Sequence, residues 1–413
     1  MTTTILHNAQ LIDGTGGDPV ADAVVVIEDG KITWAGAAAD APAADESKNP
    51  VKVDLGGNTI TPGFFDVHVH LSLPGPSGGS TMQDAMVRPS FRYFELIGRL
   101  KKTLAAGVTT VRDLMGVDAG VRNAVEYGMV EGPRLLVADR MLSQTGGHAD
   151  WHLASNIDGT TLVGGDLVDS VDEARKAARV LLREHVDVIK IASSGGVTSM
   201  SDEPGWLGFR TEMVAAVVEE GKNYGGVPVA AHAIGYEGIR AAVEGGVHSV
   251  EHGYELDDEL RQQMVAKGQF LVPTLLETIH PDTATPQAAA KSAKWHAMAH
   301  ESIAKSVAAG IKIAVGTDAG LVPDHGANLG ELPLLVQYGG MTPMQAIVAG
   351  TKTSAECCGV DHILGTIEAG KIADIVVVAG DPLKDITAVA DVEKILLVMK
   401  QGRAAVNRGS FSL

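Results

Sequence analysis

Six side chains of metal-binding type, His68, His70, Lys190, His232, His252 and Asp318, stand at the ends of short apolar runs that lie far apart in the chain. They occur in "DVHVH", "VIKIASSGG", "AAHA", "VEHG" and "GTDAG". His68 and His70 are one residue apart, so in a strand, where side chains alternate, they share a face. Each has a bland explanation when taken alone. A single buried histidine is more often a hydrogen-bonded core residue, a lysine at a strand end snorkels to water, and an aspartate before Ala-Gly is a turn residue. Six together have no packing explanation, because unpaired they would be costly buried polar groups. Two divalent ions would pair them, and neutral imidazoles with a carboxylate suit Zn²⁺ first among such ions. Lysine cannot ligate as an ammonium. It must be neutral or modified, and carboxylation of its amine by CO₂ would give a bidentate anion able to bridge two ions, which makes N6-carboxylysine the expectation at Lys190. Such a pair would lower the pKa of a shared water from about 15.7 toward ~7, and Asp318 could take its proton and hand it to a leaving group. The expected chemistry is hydrolysis.

The elements that must position these residues follow from the alternation of apolar runs with helix-length stretches. Eight runs can be counted from Thr61 onward: "GFFDVHVHLS", "GVTTVRDLM", "PRLLVADRMLS", "VDVIKIASSGG", "VPVAAHA", "HSVEHG", "QFLVPTLL" and "IKIAVGTDAG". Helices are expected between them, for example over 172–184, 211–223 and 236–245, from apolar positions at helical spacing. Eight such repeats predict an α/β fold, a closed (β/α)8 barrel of the TIM type, with functional groups at the C-terminal ends of its strands. The first sixty residues read instead as short strands with tight turns, Asp29-Gly30 being a hairpin signal. Strands return after residue 364 in "GTIEAGKIADIVVV" and "VEKILLVMKQG". The expected division is therefore a composite β-sandwich from residues 1–61 and 364–413 beside a barrel from 62–363. Long connections at 197–210 and 277–295 are candidate lids or substrate walls.

Composition narrows the function class. The chain has 413 residues, 45% of them hydrophobic, and a net charge of −18, which argues against a phosphate-binding surface and hence against nucleic acid. No apolar run approaches the ~18 residues of a membrane span, and no secretory leader pattern is visible. The two cysteines, Cys357 and Cys358, are adjacent, which disfavours ordinary bridging. A cytoplasmic protein with no membrane partner is expected.

Taken in order, the five metal-site motifs, with "AGVTTVRD" and "GTIEAGKIADIVVV" beside them, resemble the amidohydrolase superfamily in its binuclear branch, over nearly the whole chain. The resemblance implies that His68, His70 and Asp318 hold one ion, that His232 and His252 hold the other, and that carboxylated Lys190 bridges them. Within the superfamily, "IKIASSGG", "TGGHADWH" and "HGANLGELPLLVQYGGMTPMQAI" look like the imidazolonepropionase-related group that contains Xaa-Pro dipeptidases, other metallocarboxypeptidases and ochratoxin-type amidases. Imidazolonepropionases themselves and most deaminases use one metal and lack the strand-four lysine, so cleavage of a dipeptide or an N-acyl amino acid is implied. Relatives of this kind often assemble, and a homo-oligomer is expected.

An amide substrate needs a donor for its developing oxyanion. His148 and Tyr236 are the candidates, with His152 and His325 on the same rim. A substrate carboxylate needs a cation or backbone donors, for which Arg210 and Arg88 are candidates. Trp151, Trp206 and Phe209 could wall a pocket for an apolar side chain. Two rivals stand beside this reading: ring-opening of a cyclic amide at the same two-metal site, and a metal-free scaffold, which the six filled ligand positions disfavour.

Overall fold

The computed structural model describes residues 3–413 apart from 76–87, 154–156, 159, 161–163, 198, 200–201 and 280–285. Its eight parallel barrel strands are β1 (Phe64–Val69), β2 (Val108–Asp113), β3 (Arg134–Val137), β4 (Ile189–Ala192), β5 (Val229–Ala233), β6 (Ser249–His252), β7 (Phe270–Val272) and β8 (Lys312–Ile313). Neighbours pair in chain order except β3 and β4. The ring closes where Val67 N donates to Val315 O and His70 N to Ala319 O, each at 2.8 Å. The barrel predicted from alternating runs is therefore the observed one.

The third run differs from expectation, because it is two strands. β3 pairs with β2, the chain then breaks at Asp139, whose φ is 62°, and Met141–Ser143 resumes the ladder against β4 with Met141 opposite Lys190. A left-handed residue turns the chain out of the regular pleat. The break lets one run serve both neighbours, and a further strand, Gly165–Leu167, pairs beside Met141–Ser143.

The helices begin and end where local chemistry dictates. Val171–Arg183 starts at Ser170, whose hydroxyl accepts from Glu173 N, and carries Asp172 and Glu173 in its first turn, favourable at the positive end of the helix dipole. Thr211–Asn223 and Tyr236–Gly245 match the expected spans. The connection expected over 277–295 is largely helical: Leu275–Thr278 forms one turn, and Pro286–Ala308 forms a helix of 23 residues that contains Trp295. Pro286 at the first helical position and the alanine-rich run after it favour that outcome.

Both chain ends build one mixed sheet of eight strands. Thr59–Pro62, which leads through Gly63 into β1, lies between Thr3–Leu11 and Ile375–Val378. A separate apolar core, including Leu6, Val25, Ile60, Ile375 and Leu397, fills this unit. Among the described residues no helix is long and apolar enough to cross a membrane.

Candidate metal centre

The barrel register carries the functional side chains to one end. Lys190 and His232 lie on the adjacent strands β4 and β5, with His232 paired opposite Ala192, and His252 closes β6 opposite Ala233. His68 lies near the end of β1, and His70 just follows it. Asp318 follows β8 in a turn where the glycines two residues to either side have no room for a side chain. A Cβ on Gly316 would sit 2.6 Å from His68 Cβ, and one on Gly320 would sit 2.1 Å from His70 O. His252, Thr274 and Asp318 all have positive φ, at 71°, 49° and 62°. Such strain, about 1–3 kcal/mol per residue, persists where the surroundings over-determine it.

All six predicted ligands converge, and each is at most 6% exposed. His70 Nε2 lies 3.0 Å from Asp318 Oδ1, and His68 Nε2 lies 3.5 Å from the same oxygen. Two donors about 2 Å from a tetrahedral ion stand about 3.3 Å apart, so these three atoms fit one divalent ion. Lys190 Nζ is 3.5 Å from His68 Nε2. The His252 ring lies between those of His68 and His232, with centroids at 5.1 Å and 4.6 Å.

Burial, and next the Lys190 charge, hold His68 well below the usual imidazole range. Burial likewise lowers His232 and brings His252 to about 3. These three histidines are thus neutral near pH 7, the form that ligates. Burial pushes the Lys190 ammonium down to about 8, against the opposing charges of Glu251 and Asp318. Burial alone would raise Asp318, but His68 and His70 outweigh it and keep its carboxylate ionised.

The imidazoles are aimed from behind. His68 Nδ1 lies 3.0 Å from Glu251 Oε2, while Glu251 Oε1 accepts from Arg112 at 2.9 Å and from Ser249 Oγ at 2.5 Å. Arg112 Nε also donates to Val67 O at 2.6 Å. His252 Nδ1 meets Thr274 Oγ1 at 2.8 Å, and His232 Nε2 meets Gly195 O at 3.0 Å. This leaves Nε2 of His68 and His252, and Nδ1 of His232, as the free donors. Asp66, fully buried, accepts from His68 N, Thr317 N, Thr317 Oγ1 and Asn328 Nδ2, tying β1 to the Asp318 turn.

Arg112, Glu251 and Glu277 escaped the sequence reading. A second group of possible ligands, His252, Glu277 and Asp318, has its donor atoms within 4.8 Å of one another. Burial, and next the Asp318 charge, push the Glu277 carboxyl up to about 8. The available signal was charge inside apolar runs, Arg112 in "TTVRD", Glu251 in "SVEH" and Glu277 in "TLLET".

Glu251→Gln is expected to lower metal affinity 10- to 100-fold, as loss of a carboxylate behind a ligating histidine does, and to lower the melting temperature by leaving Arg112 uncompensated. Metal titration of the folded variant checks this. Wild-type affinity would show that Glu251 serves only the core.

The rim candidates divide. His148 lines the cavity together with Trp151, and Met115, Met141 and Leu321 form its apolar wall. His325 is buried outside that lining, with Nε2 on Leu73 O at 3.0 Å, so it braces the segment after β1. Tyr236 begins its helix and is not among the residues lining the cavity, and the charged groups around its hydroxyl are Asp257, Arg240, Glu259 and Glu237. Arg210 and Arg88 are exposed residues that precede the helices Thr211–Asn223 and Pro89–Ala105, and neither lines the cavity. Phe209 is fully buried in the main core, and Trp206 is 60% exposed. The His152 backbone pairs with Asp158, and its side chain lies outside the described residues.

Comparison with known proteins agrees with this arrangement. The family profile described as "Amidohydrolase family" matches residues 59–405. The ochratoxinase of Aspergillus niger is 30% identical, the alignment covering 97% of this chain and 86% of the relative. A crystal structure of an amidohydrolase superposes with a TM-score of 0.89 at 34% identity, covering 98% of this chain and 99% of the other. A prolidase complexed with N-methylphosphonate-L-proline does so with a TM-score of 0.89 at 30% identity and the same coverage.

Proposed function

The chain belongs to the amidohydrolase family and is a hydrolase acting on amide bonds, and from that premise we propose that it cleaves the amide of a dipeptide or an N-acyl amino acid with two divalent ions. The observation that carries the proposal is the convergence of His68, His70, Lys190, His232, His252 and Asp318 at one barrel end. His68, His70 and Asp318 would hold one ion, His232 and His252 the other, and Lys190 as N6-carboxylysine would join them. When bound, such ions, zinc first by donor type, would supply Lewis acidity and a water acidic enough to act near neutral pH.

The chain's own residues do the rest. The ionised Asp318 carboxylate accepts the proton of the attacking water and returns it to the leaving nitrogen, which balances the hydrolysis. Met115, Met141, Trp151 and Leu321 give the site an apolar side that excludes bulk water. His148 faces the same space. The names of the relatives, an ochratoxinase and a prolidase, support linear amides of amino acids as substrates. Cys357 and Cys358, both free and buried, fit a reducing cytoplasm. Phe91, Tyr93 and Phe94, all more than half exposed at the start of the helix Pro89–Ala105, support a homo-oligomer.

The test is a panel of Xaa-Pro and other dipeptides, N-acyl amino acids and cyclic imides, offered to protein reconstituted with zinc, manganese or cobalt. Hydrolysis of linear amides is expected. Chelation should abolish it and lower the melting temperature, since an ion that binds only the folded chain stabilises it by mass action. Turnover of cyclic imides alone would replace the proposal with ring-opening.

A further inference from the structure

We infer that Asp202 is a positioning residue that aims the His148 imidazole into the cavity, and that Lys291 fixes Asp202 in place; the inference rests on the amide-hydrolase reading above. His148 stacks on His232 with ring centroids 3.9 Å apart and planes 16° from parallel. Stacking sets the plane of the ring but not which nitrogen faces the substrate. The other contacts settle that.

A Cβ on Gly196 would lie 2.1 Å from His148 Cε1 and 2.2 Å from its Nδ1, so the Cε1–Nδ1 edge packs on bare backbone. From that edge Nδ1 looks toward Asp202 Oδ2 at 3.9 Å. Both residues are nearly buried, and neither atom has a hydrogen-bond partner among the described residues. Two buried, unpaired, complementary atoms at this separation form a contact that is long without substrate and closes in the complex. Nε2 is then the nitrogen left for the cavity.

The aim of Asp202 is itself determined. Its Oδ1 accepts from Gly196 N at 3.1 Å and from the Ser199 hydroxyl. Lys291, 6% exposed on the helix Pro286–Ala308, donates to Ser199 O at 3.0 Å and to Asp202 O, and its Nζ lies 3.7 Å from Glu203. A buried ammonium is costly, and here it ties the connection after β4 to the helix after β7. The ring they hold comes from the connection after β3. Two loops and a helix thus act in series on the aim of one ring.

A double-mutant cycle with the best amide substrate tests the inference. His148→Ala is expected to lower kcat about 10²-fold, the usual effect of losing one transition-state contact, and Asp202→Asn about 10-fold. KM and the metal content of Asp202→Asn should be unchanged. In the double variant the Asp202→Asn effect should vanish, because it acts through the ring. Lys291→Met should behave like Asp202→Asn and carries the test if the latter does not fold. Additive losses, or a wild-type kcat in both Asp202→Asn and Lys291→Met, would overturn the inference. A crystal structure of the zinc-loaded protein provides a readout that needs no substrate: Nδ1 and Oδ2 are expected within about 3.2 Å, and a ring turned away from Asp202 refutes the role. Wild-type protein inert toward every amide would sink the functional reading while leaving that geometry to judge this one.

Discussion

Asp318→Asn is expected to leave the chain folded, to keep most of its bound metal and to lower kcat by about 10²- to 10⁴-fold, the range contributed by a positioned acid–base group. Asparagine preserves the size of the side chain and its left-handed backbone, φ being 62°, since Asn adopts that conformation as readily as Asp. What it loses is the ability to take a proton. His70 and His68, at 3.0 Å and 3.5 Å from Oδ1, would then face a neutral amide oxygen. Steady-state kinetics at matched metal occupancy is the measurement, and near-wild-type turnover would contradict the assigned role.

Removing Lys190 is expected to have the other large effect. Lys190→Ala should lower occupancy from about two ions per chain to fewer than one and reduce kcat/KM on the order of 10³-fold. The side chain is 1% exposed and its Nζ lies 3.5 Å from His68 Nε2, so nothing else on β4 can reach between the two groups of ligands. Excess formate or acetate should partly restore both metal and activity, because a short carboxylate fits the space and charge of the lost carbamate. Native mass measurement of the wild type should find the mass of one CO₂ added at Lys190. Full activity and full metal content in Lys190→Ala would end the bridging proposal.

The six converging side chains and the barrel are legible for one reason: both follow from short periods. An apolar run that ends in His, Lys or Asp marks the C-terminal end of a strand without knowledge of its neighbours, so His68, Lys190, His232, His252 and Asp318 could be placed before any coordinates. Arg112 and Glu251 could not be paired that way, because they sit 139 positions apart and are partners only across the closed barrel. The break at Asp139 was hidden in an unbroken apolar pattern. Tyr236 begins a helix and Arg210 and Arg88 immediately precede one, places where the direction of a side chain depends on packing and not on position in sequence. The helix Pro286–Ala308 stands where a loop is expected over 277–295, although Pro286 and the alanines after it favour the helix.

The strand Thr59–Pro62 sits between Thr3–Leu11 and Ile375–Val378, and it runs straight into the strand that carries His68. A ribosome therefore releases this strand about 300 residues before one of its two neighbours exists. Until the late strand arrives, the nascent chain exposes an unpaired apolar edge of the kind that recruits other chains. Maturation of the catalytic end must wait for the last stretch of synthesis, and a truncated product ending before residue 375 would be an aggregation-prone fragment, not a smaller enzyme.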